Sequence, residues 1–214
     1  MLNHAGFDLW ADGYDRSVGV SDESGTYPFA GYREVLNRIY NGVLKGPGKT
    51  VLDIGFGTGT LTTKLYEQGC RIYGQDFSRR MIELAQAKMP MAKLSQGDFS
   101  TGLVDALKMQ RYDAIIATYS LHHLEDGEKA VFLRELLELL NDGGVIYIGD
   151  VAFRTRKDLE LCRKQAGDLW DEDEIYFVYD ELREYLPRLN FERYSRCAGV
   201  LTLKKDPDLS DSCI

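Results

Sequence analysis

The sequence predicts an α/β fold, doubly wound around a mostly parallel sheet and closed by an antiparallel C-terminal hairpin. Three observations carry that prediction. Short apolar runs alternate with helical patterns of ten or more residues across 49–150, the order that builds a parallel sheet through right-handed crossovers. The stretch Thr50–Leu61 passes from an apolar run through an acid into alternating glycines, which reads as strand, tight turn and helix start. After Asp150 the alternation stops, and two short runs near the C-terminus read as a hairpin.

In chain order, residues 1–48 form a helical cap. Phe7, Trp10 and Tyr14 fall at helical spacing and either anchor the N-terminus on the core or form a lid, with Trp10 and Tyr14 as the lid residues and Gly13, Gly19 and Gly25 permitting movement. A helix follows over Tyr32–Val43, with apolar residues at 32, 35, 36, 39, 40 and 43, and Gly46-Pro47-Gly48 ends it. Val51, Leu52 and Ile54 form the first strand, and Thr60 caps a helix that stops at Gly69. Arg71–Asp76 is the second strand, Ser78 opens a helix that stops near Pro90, and Ala92–Ser95 and Tyr112–Thr118 are the third and fourth strands. An amphipathic helix over Glu125–Leu140 is closed by Asn141-Asp142-Gly143-Gly144, before a fifth strand at Val145–Gly149. Beyond it, Lys157–Trp170 and Tyr179–Leu186 are helical, and the acidic run Asp171–Glu174 between them reads as a solvated loop. Phe191–Arg196 and Val200–Lys204, joined around Ala198-Gly199, make the hairpin at the sheet edge, and 206–214 is a loose tail. The whole is one domain, with 49–150 as the binding core and 151–205 as substrate-side helices and hairpin.

Composition narrows the function. With 214 residues, 44% hydrophobic and 28% charged, the chain can bury one substantial core. A formal charge of -8 argues against a nucleic-acid partner, since phosphate binding needs a basic face. Cys70, Cys162, Cys197 and Cys213 stand without any C-x-x-C pair, so neither a disulfide framework nor a zinc site is expected, and no metal. There is no signal-peptide pattern and no run of about 18 apolar residues, which places the protein in the cytoplasm and away from membranes.

The glycine turn invites comparison with the dinucleotide fingerprint G-x-G-x-x-G, but its spacing is G-x-G-x-G, and Asp53 stands two residues before the first glycine. A carboxylate there suits a ligand with an ammonium group better than a pyrophosphate, which points to a nucleoside carrying an amino acid and against a nicotinamide oxidoreductase. Asp53, Asp76 and Asp98 all fall at or just past strand ends, where open α/β sheets bind ligands.

With these residues in view, the chain resembles a class I S-adenosylmethionine-dependent methyltransferase of the small-molecule type, with a methyltransferase-11-like or 25-like core. The likeness rests on Val51–Gly59, Gly74–Met81, Gly97-Asp98-Phe99, Tyr112–Leu124 and Leu139–Asp150. It implies a Rossmann-like seven-stranded sheet whose last strand inserts antiparallel. It further implies S-adenosylmethionine as methyl donor, S-adenosylhomocysteine as product and a small-molecule acceptor; homodimerisation is left open. Asp53, Gly55 and Gly57 would line the amino-acid end of the cofactor, and Asp76 would accept its ribose hydroxyls. Phe77 and Met81 would pack on adenine, while Asp98, with Phe99 beside it, would accept the exocyclic amine. Thr118 and Tyr119 would floor the site near the sulfonium, and His122 or His123 would serve as general base. The implied mechanism is in-line displacement, in which alignment alone contributes about 7–11 kcal/mol. A non-catalytic cofactor-binding sensor or partner subunit is the second reading.

Overall fold

The computed structural model describes residues 26–205; the Trp10 and Tyr14 lid and the 206–214 tail lie outside them. Helix α1 (Tyr32–Lys45) leads into β1 (Thr50–Ile54), α2 (Thr60–Glu67), β2 (Arg71–Asp76), α3 (Arg79–Lys88) and β3 (Lys93–Gln96). A short α4 (Asp105–Lys108), β4 (Tyr112–Thr118), α5 (Asp126–Glu138) and β5 (Leu140–Phe153) follow. Then come α6 (Arg156–Ala166), the two-residue β6 (Phe177–Val178), α7 (Tyr179–Tyr185), β7 (Asn190–Arg193) and β8 (Ala198–Lys204).

The main sheet runs β3-β2-β1-β4-β5-β8-β7, with β6 pairing to the end of β5. The first five strands are mutually parallel, and β8 lies antiparallel between β5 and β7. Alternation along each strand feeds two cores. Val51, Ile72, Ile116 and Val145 face α1, α2, α3 and α6, while Leu52, Ile54, Ile115 and Ile146 face α4, α5 and α7. Burial on both faces explains why these strands read as continuous apolar runs. Among the described residues no helix is long and apolar enough to cross a membrane.

Three local expectations are corrected. Thr60 is the first helical residue of α2, and the cap position belongs to Gly59, left-handed at φ 78°. Asn141–Gly144 does not separate helix from strand. The helix stops at Glu138, and these residues bulge within β5, so that Tyr112 pairs with Leu140 but Ala114 with Val145. In the hairpin the turn falls at residues 194–197. Ala198 and Gly199 belong to β8, an interior strand whose Gly199 leaves room for the Phe191 ring, and β7 alone takes the edge.

Candidate active site

The β1–α2 turn is built from glycines because its backbone demands it. Gly55, Gly57 and Gly59 have φ of 67°, 55° and 78°, a region that side chains strain to enter. A Cβ on Gly55 would stand 2.5 Å from the Cβ of Ser120, whose hydroxyl donates to the Ile54 carbonyl at 2.8 Å. At Gly57 nothing lies within 4 Å of that position, so the turn opens into a cavity there. Asp76, at the end of β2, holds the turn in shape: its carboxylate accepts the Gly57 N–H at 2.8 Å and the Ser78 N–H at 2.9 Å.

That cavity, about 310 Å³, is within the range of small-ligand pockets. Its wall brings together Asp53, Gly55, Gly57, Asp76, Met81, Thr118, Tyr119, His122 and His123 from the sequence reading. Phe77, Asp98 and Phe99 do not form part of it. The Asp98 side chain accepts the Ser100 N–H at 2.9 Å, and Phe99 stacks on Phe132 with ring centres 6.3 Å apart.

Asp53 is 1% exposed. One carboxylate oxygen accepts the Thr62 hydroxyl, and the other has no hydrogen-bond partner among the described residues. Burial pushes its pKa up to about 7, against the Thr62 hydrogen bond and with a further rise from Asp76. An orphaned, buried carboxylate oxygen on the cavity wall fits an incoming ammonium group.

Elsewhere on the wall, Tyr119 follows β4 with φ of 50°, uncommon for a residue with a side chain, and its ring sits against Phe29 and Tyr32 at 5.2 and 5.1 Å. The next turn carries His122 and His123, their rings 4.4 Å apart. His122 Nδ1 meets Asp150 Oδ1 at 2.7 Å, and its Nε2 lies 3.5 Å from Glu174 Oε1. Burial lowers the His122 pKa, but the charge and hydrogen bond of Asp150 outweigh it and the net shift is upward. His123 falls to about 4, through burial first and the neighbouring His122 second.

The acidic run departs from its expected role. Asp171 and Glu174 line the cavity, and burial raises the Glu174 pKa. The segment is clamped: Ile175 N–H donates to the His122 carbonyl at 2.8 Å, and the buried Lys129 ammonium donates to the Ile175 carbonyl at 2.6 Å and to Asp126 at 2.8 Å. Tyr27 also lines the cavity, hydrogen-bonded to the Tyr176 hydroxyl and stacked on Trp170 at 5.1 Å. Sequence reasoning missed Glu174, Asp171, Tyr27 and Lys129; only Asp150 left a signal, as an acid following an apolar run.

A methyltransferase-domain family model matches residues 51–144. An uncharacterized methyltransferase of Geobacillus sp. (strain WCH70) is 36% identical over 186 residues, covering 86% of this chain and 82% of that protein. The chain belongs to the class I S-adenosylmethionine-dependent methyltransferases. A second relative of this methyltransferase, from Geobacillus thermodenitrificans (strain NG80-2), is 39% identical over 184 residues, with 82% of each chain covered. Among solved structures, the fold matches a DhpI–SAH complex with a TM-score of 0.69, 20% identity and 95% of each chain covered. It also matches magnesium protoporphyrin IX methyltransferase from Synechocystis PCC 6803 with bound SAH, at a TM-score of 0.64 and 20% identity, covering 83% of this chain and 85% of that one.

Proposed function

We propose that this methyltransferase transfers the methyl group of S-adenosylmethionine to a small-molecule acceptor held between the β4 turn and the 171–174 segment. The observation that carries the reading is that one cavity is lined both by the glycine turn with Asp53 and Asp76 and by Tyr119, His122, His123 and Glu174. The residues fit the donor. The orphaned Asp53 oxygen is suited to its ammonium, the open face of Gly57 admits its backbone-hugging chain, and Asp76 brings a carboxylate to the cavity wall at the end of β2, where ribose hydroxyls would meet it. Met81 supplies an apolar wall for the base. When bound, the donor supplies an electrophilic methyl group on a sulfonium centre, so the protein's work is to align the acceptor and exclude water. The aromatic cluster of Phe29, Tyr32 and Tyr119 supplies that dry, shaped surface.

Incubation with methyl-labelled S-adenosylmethionine and a metabolite extract should place label in a small molecule. In parallel, calorimetry should show binding of S-adenosylmethionine and S-adenosylhomocysteine and none of NAD. Tight NAD binding with no response to the other two would sink the reading; cofactor binding without transfer to any product would identify a sensor in place of an enzyme. Asp76→Ala should weaken cofactor affinity by about 10-fold or more, because a charged acceptor and the support of the Gly57 amide are lost together.

A further inference from the structure

The cluster formed by His122, His123 and Glu174 goes beyond a pair of histidines offered as bases. One ligand atom from each residue lies within 4.8 Å of the other two. The donor set, two imidazoles and a carboxylate, is one that zinc and its neighbours in the first transition row accept, and three protein ligands leave a coordination position for a substrate. All three residues line the same cavity as Asp53.

The surroundings support a built site. Asp150, fully buried, engages Nδ1 of His122 and thereby turns Nε2 toward Glu174, the carboxylate–imidazole arrangement that orients a metal-binding histidine. The second oxygen of Asp150 has no hydrogen-bond partner among the described residues, so a buried acid with one unpaired oxygen stands behind His122. Glu174 is held in place by both hydrogen bonds of the next residue, Ile175, to the His122 carbonyl and to Lys129. The Lys129 ammonium opposes a cation nearby, but it is bonded to Asp126, and Asp150, Glu174 and Asp171 keep the surroundings acidic.

We propose that His122, His123 and Glu174 bind a divalent cation of the zinc class, positioned by Asp150, at the acceptor end of the methyltransferase cavity. The role of such an ion, drawing in an acceptor with a lone pair on oxygen, nitrogen or sulfur, rests on the functional reading above; binding of the ion itself does not. A metal at this position replaces the general-base role for the two imidazoles, because their lone pairs are then engaged.

The full-length protein, stripped with chelator and kept reduced, should take up one equivalent of Zn²⁺ in a calorimetric titration. With Co²⁺ it should show visible bands of a nitrogen–oxygen site without the intense near-ultraviolet band of thiolate ligation. His123→Ala and Glu174→Gln should abolish the stoichiometric uptake, and Asp150→Asn, which keeps the shape of the side chain behind His122, should weaken it by about 10- to 100-fold. Far-ultraviolet circular dichroism establishes that each variant is folded. The proposal is overturned if the wild-type protein takes up no stoichiometric metal, or if His123→Ala and Glu174→Gln, both folded, bind as tightly as wild type, which would move the ion to the cysteines. An S-adenosylhomocysteine titration on the same sample separates the two readings. Zinc uptake without nucleoside binding supports this site while overturning the donor assignment, and nucleoside binding without zinc uptake does the reverse.

Discussion

Replacing Asp53 by Asn should stabilise the fold and damage the site at once. Asp53 is almost fully buried, and its pKa stands at about 7 in place of 3.8, through burial first, opposed by Thr62 and aided by Asp76. A difference that large corresponds to about 4 kcal/mol against the charged form. The amide that replaces it leaves one polar atom poorly paired, a penalty of about 1–3 kcal/mol. The net gain for Asp53→Asn at pH 8 is therefore about 1–3 kcal/mol, a rise in Tm of about 2–4 °C for each kcal/mol in a chain of this size. The sign follows from proton counting. Unfolded Asp53 releases its proton near pH 4 and folded Asp53 near pH 7, so between those values the folded state holds more protons. Wild-type stability from this group thus falls as pH rises from about 4 to about 7, and is flat above. The advantage of the Asn variant should accordingly vanish near pH 5. Affinity for S-adenosylhomocysteine moves the other way: the variant loses a charge-assisted hydrogen bond and binds about 10- to 100-fold more weakly, and wild-type affinity itself drops as pH falls below about 7. Differential scanning fluorimetry at pH 5 and pH 8, with calorimetric titrations, reads both effects. A variant that melts no higher than wild type at pH 8 and binds the nucleoside equally well would refute the reasoning.

The glycines of the turn should separate by mechanism in urea denaturation. Gly57→Ala is expected to cost about 1–2 kcal/mol, for its left-handed backbone alone, and to weaken nucleoside binding by crowding the cavity. Gly55→Ala should cost at least about 1 kcal/mol more, because its Cβ would collide with Ser120; equal costs would contradict this. Lys129→Met should leave the Ile175 carbonyl and Asp126 without their donor, loosening 171–176 and raising amide hydrogen exchange there. S-adenosylhomocysteine affinity should stay within about twofold, since the glycine turn is untouched. Unchanged exchange would show that Lys129 does not hold that segment.

The fold was legible because its signals are local. β1 and β4 carry short apolar runs buried on both faces, β2 is buried after Arg71, and Gly55, Gly57 and Gly59 are required by the turn they form. Where the reading slipped, the deciding contact was long-range. Asn141–Gly144 carries a turn composition, but pairing of Leu140 with Tyr112 draws it into the strand as a bulge. Ala198 and Gly199 look like a hairpin turn, but β5 pairs with both of them from its other side.

The two parts of the cavity wall differ in the same respect, and the difference bears on how each is tuned. The glycine-turn part of the wall comes from one strand–turn–helix and the end of the adjacent strand: Asp53 pairs across to Gly74, two residues before Asp76, so the acids are fixed by sheet register. The other part of the wall draws on three well-separated segments: Tyr119, His122 and His123 follow β4 and are read from the sequence, while Tyr27 and Glu174 come from distant stretches that no spacing along the chain connects to them. Behind His122 stands Asp150, an acid at the end of an apolar run. Gly149, beside it, pairs with Thr118 at the end of β4, so Asp150 stands level with the mouth of the sheet, as Asp53 and Asp76 do. Because Asp150 contacts the cavity-lining His122 and Lys129 holds the Ile175 carbonyl, substitutions at either should alter the proposed acceptor site while leaving the glycine turn in register. The acidic segment 171–174 lies outside the strand pairing and is held to the site by the Asp171 N–H on the Tyr27 hydroxyl, by Glu174 beside His122 and by Ile175. The two-residue β6 follows it, so a substitution there is expected to act on the site before the sheet.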